Sequence, residues 1–234
     1  RVGEMLGLGV DVERGVGTVI PIQVTRIGAR VAPEDTERGY LSIVHATGNI
    51  EKIMDESRKV ATTGILHCAS ELALQLDALD DPLHLHFMGG STRKDGPSAG
   101  GAIALALASL LAGRKLRRDV AMTGEIDVMG RITGIGALAV KLETEADAGC
   151  KGVIIPRENL VGEDGIERLP EALKQELHTL TFEAWAGPHE PFDHARHMLQ
   201  VVAVDDIVQA ARIAYIDEIE LDALDGRFLT HARE

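Results

Sequence analysis

The stretch Lys94-Asp95-Gly96-Pro97-Ser98-Ala99-Gly100-Gly101 has the residue types of a nucleophile mount. A Gly-Pro pair stiffens the approach to a serine, and small residues then open a helix. A serine placed there sits beside the positive end of the helix dipole, where unpaired N–H groups can receive a developing oxyanion. Tiny neighbours let a polypeptide backbone come close. The same segment also fits a plain helix N-cap at Ser98, and residues 94–101 by themselves do not choose between the two.

A serine nucleophile needs a base. Lys141 stands 43 positions after Ser98, in a predicted helix over 138–149. It shares a face with Leu138 and Leu142, while Glu143 and Asp147 turn outward. Desolvation on such a face lowers a lysine's pKa and leaves a neutral amine able to take a proton. A lysine that snorkels its ammonium out to water fits this periodicity at least as well.

The elements that must position these two residues read as strands and helices in alternation. Strands are predicted over 18–25 and 40–47, joined as a hairpin across the polar loop 32–39. A helix follows over about 50–68, with Ile50, Ile53, Met54, Val60 and Ile65 as its apolar positions. Then come a strand over 83–87, a loop over 89–97, a small-residue helix from Ser98 and a strand over 120–126. A glycine-rich turn over 130–136 leads to the lysine helix, a buried strand over 152–156, a strand over 199–204 and a helix over 206–215. The expected class is α+β or α/β, with mixed sheets packed against helices in a single domain over 1–234. Residues 178–198, carrying His178, His189, Asp193, His194 and His197, read as an inserted loop that serves as a lid or a partner contact, and an acidic tail begins near 216.

Composition bounds the function. The chain has 234 residues, 45% of them hydrophobic and only 3% aromatic, so its core is aliphatic. A net charge of -13 argues against a nucleic-acid partner. No apolar run approaches the roughly 18 residues of a membrane span. The amino terminus has no basic region followed by a cleavage site, so a cytoplasmic protein is expected, and the absence of an initiating Met suggests a processed chain or an excised domain. Cys68 and Cys150 make neither a disulfide framework nor a metal motif and read as small buried hydrophobes.

In order along the chain, RVGEMLGLG, GTVIPIQV, ATGNIEKIMDES, LHLHF, KDGPSAG, VAMTGEI, IGALAVKL and GCKGVIIPREN resemble the proteolytic domain of the Lon family of proteases. The likeness covers about residues 1–160 and resumes near 199–215. It implies a serine endopeptidase with a Ser98–Lys141 dyad that degrades unfolded or damaged proteins through an acyl-enzyme, assembled as a homohexameric ring. It also implies that Thr123 hydrogen-bonds the lysine, and that Asp95 holds the loop or engages the lysine. His84 and His86 share one strand face and are expected to line the cleft. Gly96, Pro97 and Ala99 are expected to supply backbone around the oxyanion and the substrate. No metal and no cofactor are implied. The G-x-x-x-x-G-K-[ST] phosphate loop is missing, so either the motor is on a removed segment or this is a motor-less relative that acts on already unfolded chains, and ATP and Mg²⁺ would enter only with a motor supplied elsewhere.

The chain departs from the family pattern at Ala137, which replaces a glycine, and at Ala139, which replaces a lysine; Glu13 is the counterpart of a family position near the amino terminus. Three other readings compete. A G-x-S-x-G hydrolase elbow needs a strand running straight into Ser98, where the charged loop 89–97 stands instead. An S-x-x-K site at Ser91 and Lys94 needs a helical turn. A non-proteolytic scaffold or assembly domain of the same fold would be expected to lack the serine or the lysine, and both are here.

Overall fold

The structure is a computed structural model and describes residues 1–11, 15–27, 44–76, 81–89, 93–185 and 198–216. Strands β1 (Glu4–Asp11) and β2 (Val16–Arg26) form an antiparallel ladder from Glu4–Gln23 to Asp11–Val16. Strand β3 (Val44–Thr47), helix α1 (Lys52–His67) and strand β4 (Leu83–Phe87) make a parallel crossover unit. Helix α2 (Gly100–Ala112) leads to β5 (Val120–Met122) and to a two-stranded hairpin, β6 (Glu125–Ile126) with β7 (Ile132–Thr133). The chain continues through α3 (Leu138–Ala148), β8 (Gly152–Pro156), α4 (Glu171–Gln175) and β9 (Leu177–Thr181). It closes with α5 (Phe182–Trp185), β10 (Leu199–Val204) and α6 (Ile207–Ala214), the last capped by the Asp206 side chain on the Gln209 N–H.

Eight strands form one sheet in the order β3-β4-β2-β1-β5-β8-β10-β9. Only β2 runs against its neighbours β1 and β4; the other pairings are parallel. Successive side chains therefore feed two cores. Val120, Met122, Ile154, Val202 and Val204 pack with α1, α2 and α6 on one face. Ala121, Val153, Ile155, Val201 and Ala203 pack with Leu138 and Leu142 of α3 on the other. Strands buried on both faces read as continuous aliphatic runs, as GVIIP and LQVVAV do. Helix α2 is buried along almost its whole length, which its composition of Gly, Ala, Ile and Leu permits.

The mixed α/β class is as expected, and several boundaries are not. The predicted hairpin between 18–25 and 40–47 does not form. Strand β4 takes the edge of β2, because its alternation puts Leu83, Leu85 and Phe87 into the α2-side core beside Ile22 and Val24. Strand β3 is left outside β4, and the loop 32–39 lies outside the described residues. Strand β1 has no counterpart in the sequence reading, because Gly7 and Gly9 thin its β-propensity. Residues 177–181 are not inserted loop: they form the edge strand β9, in register with Leu199–Ala203 of β10, and α5 follows. His178 is in that strand; His189, Asp193, His194, His197 and the tail beyond 216 lie outside the described residues. On α1 Met54 and Ile65 are buried as expected, whereas Ile53 is 49% exposed.

One buried group is out of keeping with this core. Glu145 of α3 is 0% exposed, and its carboxyl oxygens find no conventional hydrogen-bond partner among the described residues. The Cys150 thiol beside it is a weak donor. Burial raises the carboxyl pKa above its ordinary 4.5, so the native state keeps a proton that the unfolded chain releases, and stability falls as pH rises above that value. Glu145→Met is expected to raise the unfolding free energy by about 1–3 kcal/mol near neutral pH, with the gain shrinking toward pH 4.5. Urea melts at both ends of that range check this, and an equal gain at both would refute the buried neutral acid.

Candidate active site

Chain segments from α2, β5 and α3 meet at the carboxyl end of β5, the usual place for a site on a parallel sheet. The single strand predicted over 120–126 is broken there: the Thr123 N–H still donates to the Ile154 carbonyl of β8 at 3.1 Å, and the chain leaves the ladder at Gly124. The Gly124 N–H donates to the Ser98 carbonyl at 2.8 Å, and the Gly101 N–H donates to the Gly124 carbonyl at 2.9 Å. The break thus ties the start of α2 to the sheet. The approach is close at Gly101, where a Cβ would fall 2.3 Å from Met122 Cε and force that side chain to move.

The loop before Ser98 is strapped down. Asp95 Oδ1 accepts the Met54 N–H at 3.1 Å and so caps the first turn of α1. It holds the loop; among the described residues it makes no contact with Lys141. Buried Lys94 donates from Nζ to the carbonyls of Gly48 at 3.1 Å and Gly89 at 2.5 Å. Gly96, at φ +101°, turns the chain into Pro97 in a conformation that other residues rarely adopt. The Pro97 carbonyl takes the Gly100 N–H at 2.9 Å and the Ser57 hydroxyl at 3.3 Å. Pro97 brings no N–H, and those of Gly100 and Gly101 are committed. The N–H groups of Ser98 and Ala99 have no acceptor among the described residues. Ser98 is not the N-cap: that position falls to Ala99, without a side-chain cap bond.

Lys141 is 4% exposed, and its Nζ donates to Thr123 Oγ1 at 3.1 Å. Thr123, fully buried, donates in turn to the Ser98 carbonyl at 3.4 Å. The amine is buried, which rules out snorkelling. Thr123 is its hydrogen-bond partner, as the resemblance implies, and links it to the Ser98 backbone. Among the described residues no hydrogen bond joins Ser98 Oγ to Lys141 Nζ directly. Burial pushes the Lys141 pKa from 10.5 down to about 8, and the Asp164 carboxylate opposes that shift.

His84 and His86 are elsewhere. The Thr47 hydroxyl lies 2.8 Å from His84 Nε2 and 2.8 Å from His86 Nδ1. Its one proton serves one ring, so the other ring donates to it. Both histidines line a cavity of about 370 Å³ with Glu4, Gln23 and Thr25, and none of Ser98, Thr123 or Lys141 reaches it. The expectation that they line the serine's cleft is therefore corrected: β2 and β1 stand between β4 and β5. Glu13 and Ser91 lie outside the described residues.

The loop after β8, to which the sequence alone assigns no role, clamps the entry to α3. Glu158 Oε2 accepts the Gly134 N–H at 2.6 Å. Asn159, 4% exposed, accepts the Ile135 N–H at 2.9 Å and donates to the carbonyls of Ile135 at 2.8 Å and Asp164 at 2.9 Å. Asp164 Oδ1 accepts the Ala137 N–H at 2.9 Å. The available signal was Pro156-Arg-Glu-Asn159 directly after a buried strand, where Asn and acidic residues tend to bond backbone.

Residues 9–186, more than half of the chain, match the family model of the Lon protease (S16) C-terminal proteolytic domain. The chain belongs to the Lon proteolytic-domain family. It is 37% identical to the Lon protease of Haemophilus influenzae over 172 residues, which is 71% of this chain and 21% of that protein. It is 41% identical to the Lon protease of Citrifermentans bemidjiense over 132 residues, 56% of this chain and 16% of the relative. The peroxisomal Lon protease homolog 2 of Rattus norvegicus is 36% identical over 175 residues, 70% of this chain and 20% of its own. The chain therefore spans about a fifth of the length of these relatives.

Within this Lon domain the buried lysine has a thermodynamic signature. Between pH 8 and 10.5 the unfolded chain keeps a proton on Lys141 that the native state has released, so stability rises with pH across that window. Lys141→Met is expected to stabilise the domain below about pH 8, by up to about 3 kcal/mol from the shift in pKa, and to gain progressively less toward pH 10.5. Denaturant titrations at neutral and alkaline pH check this, and a pH-independent difference would refute a depressed lysine.

Proposed function

We propose that this Lon domain is a serine endopeptidase acting on unfolded polypeptides, with Ser98 as nucleophile and Lys141 as base. The observation that carries the reading is the buried Lys141 amine, joined through Thr123 to the backbone of Ser98. In this mechanism the Ser98 hydroxyl turns to the neutral amine and gives up its proton as Oγ attacks the peptide carbonyl. The free N–H groups of Ser98 and Ala99 receive the oxyanion. The Lys141 ammonium then protonates the leaving amine, and water, deprotonated by the same lysine, releases the acyl group. Asp95, Gly96 and Pro97 shape the mount, and none of them transfers a proton.

The reading includes main-chain recognition of an extended substrate with little sequence demand. It also includes a homohexameric ring, as the family resemblance implies, and a cytoplasmic setting, which suits the two free cysteines Cys68 and Cys150. The chemistry uses groups of this chain alone; ATP and Mg²⁺ would serve a motor supplied elsewhere.

Ser98→Ala and Lys141→Ala are each expected to lower cleavage of an unstructured protein at least ~10³-fold while the variants stay folded. Activity of the wild type is expected to rise through about pH 8 as Lys141 loses its proton. A fluorescent serine-directed probe should label the wild type at Ser98. Digestion assays with circular dichroism as the fold control decide the matter, and near-normal turnover by either variant would overturn the dyad.

A further inference from the structure

The head of α3 carries a conformational oddity. Ala137, immediately before the first residue of the helix, has φ +56°. Left-handed backbone is easy for glycine and strained for an alanine, whose Cβ crowds the carbonyl oxygen. Strain of this kind persists only where the surroundings over-determine it. Here they do: Glu158, Asn159 and Asp164 hold the N–H groups of Gly134, Ile135 and Ala137 in succession. Asp164 grips the strained residue itself, at 2.9 Å. Lys141 is the next turn of the same helix, with its N–H directed at the Ala137 carbonyl.

From this geometry we propose that Asp164 is a positioning residue: its carboxylate latches Ala137 in the left-handed turn and so sets where the Lys141 amine stands against Thr123 and Ser98. The proposal rests on the peptidase reading of Ser98 and Lys141. Without the latch an alanine at 137 relaxes to negative φ, which swings the start of α3 and the amine it carries. The carboxylate has a second, separable effect. The groups around the amine are the Thr123 hydroxyl, which bridges to the Ser98 carbonyl, the Asp164 carboxylate and, one turn further along α3, the buried Glu145 beside Cys150. Asp164 is the charge that favours the protonated amine, partly offsetting burial.

The two effects come apart in kinetics on an unstructured polypeptide, measured as kcat, KM and their pH profiles. Asp164→Asn keeps the acceptor oxygen and removes the charge. It is expected to leave kcat at its plateau and to move the alkaline rise down by about half a pH unit, the size expected of an exposed charge. Asp164→Ala removes both, and is expected to lower kcat roughly 10- to 100-fold with KM little changed, as for a misplaced catalytic group. Adding Ala137→Gly to Asp164→Ala frees the left-handed turn from its strain. It is expected to restore most of the lost kcat while the profile stays shifted, a rescue that a merely structural role would not give. Full kcat in Asp164→Ala, or no recovery in the double variant, would overturn the latch. Lys141→Ala run alongside separates the readings: if it is inactive and the Asp164 variants match wild type, the latch alone fails. If it cleaves like wild type, the dyad fails first.

Discussion

The arrangement depends on keeping an amine dry. A lysine head 4% exposed and bonded, among the described residues, to a single hydroxyl is costly to hold in a protein, and most of the architecture around it serves to hold it. Helix α3 is anchored by Leu138 and Leu142 in the core under the sheet, so its lysine cannot swing out to water. Thr123 gives the amine its one hydrogen bond among the described residues, and it stands where β5 gives way to an irregular pair of residues. Depression of the pKa to about 8 follows from this burial and not from a nearby cation.

The serine is placed by an opposite device. Where Lys141 is buried by large apolar neighbours, Ser98 is presented by small ones. Gly100 lets the start of α2 press against Ser57 and Ile126, and Gly101 against Met122 and Gly124, and among the described residues the two N–H groups just upstream have no acceptor. Loop and helix are then pinned from the far side by Asp95, Lys94 and Ser57. The mount is held at Lys94, Asp95 and Pro97, while among the described residues the N–H groups of Ser98 and Ala99 have no acceptor.

Much of this was legible in the residues. The motif around Ser98, the lysine on an apolar helix face and the threonine at the end of a strand could each be read from type and spacing. So could the buried strands GVIIP and LQVVAV. What escaped were features fixed by pairing between distant segments. Nothing local in YLSIVHAT says that β4 will separate it from β2, because both strands offer β2 an equally suitable apolar edge. Thr123-Gly124 could not be seen as a break, since the residues on both sides are good strand formers and the cause is a hydrogen bond to residue 98. His84 and His86 alternate as a cleft pair would, but strand order puts two strands, β2 and β1, between them and β5. Asp164 is silent in the sequence because its partner, the N–H of a left-handed alanine, has no signature there.

Helix α2 has a consequence for how such a protein fails. It has almost no solvent face, so the nucleophile's mount is continuous with the densest part of the interior. No partial opening can loosen residue 98 without disturbing the packing between α1, α2 and α6. Loss of competence and loss of structure on heating would then be one event: the hydroxyl keeps its aim until the whole interior melts.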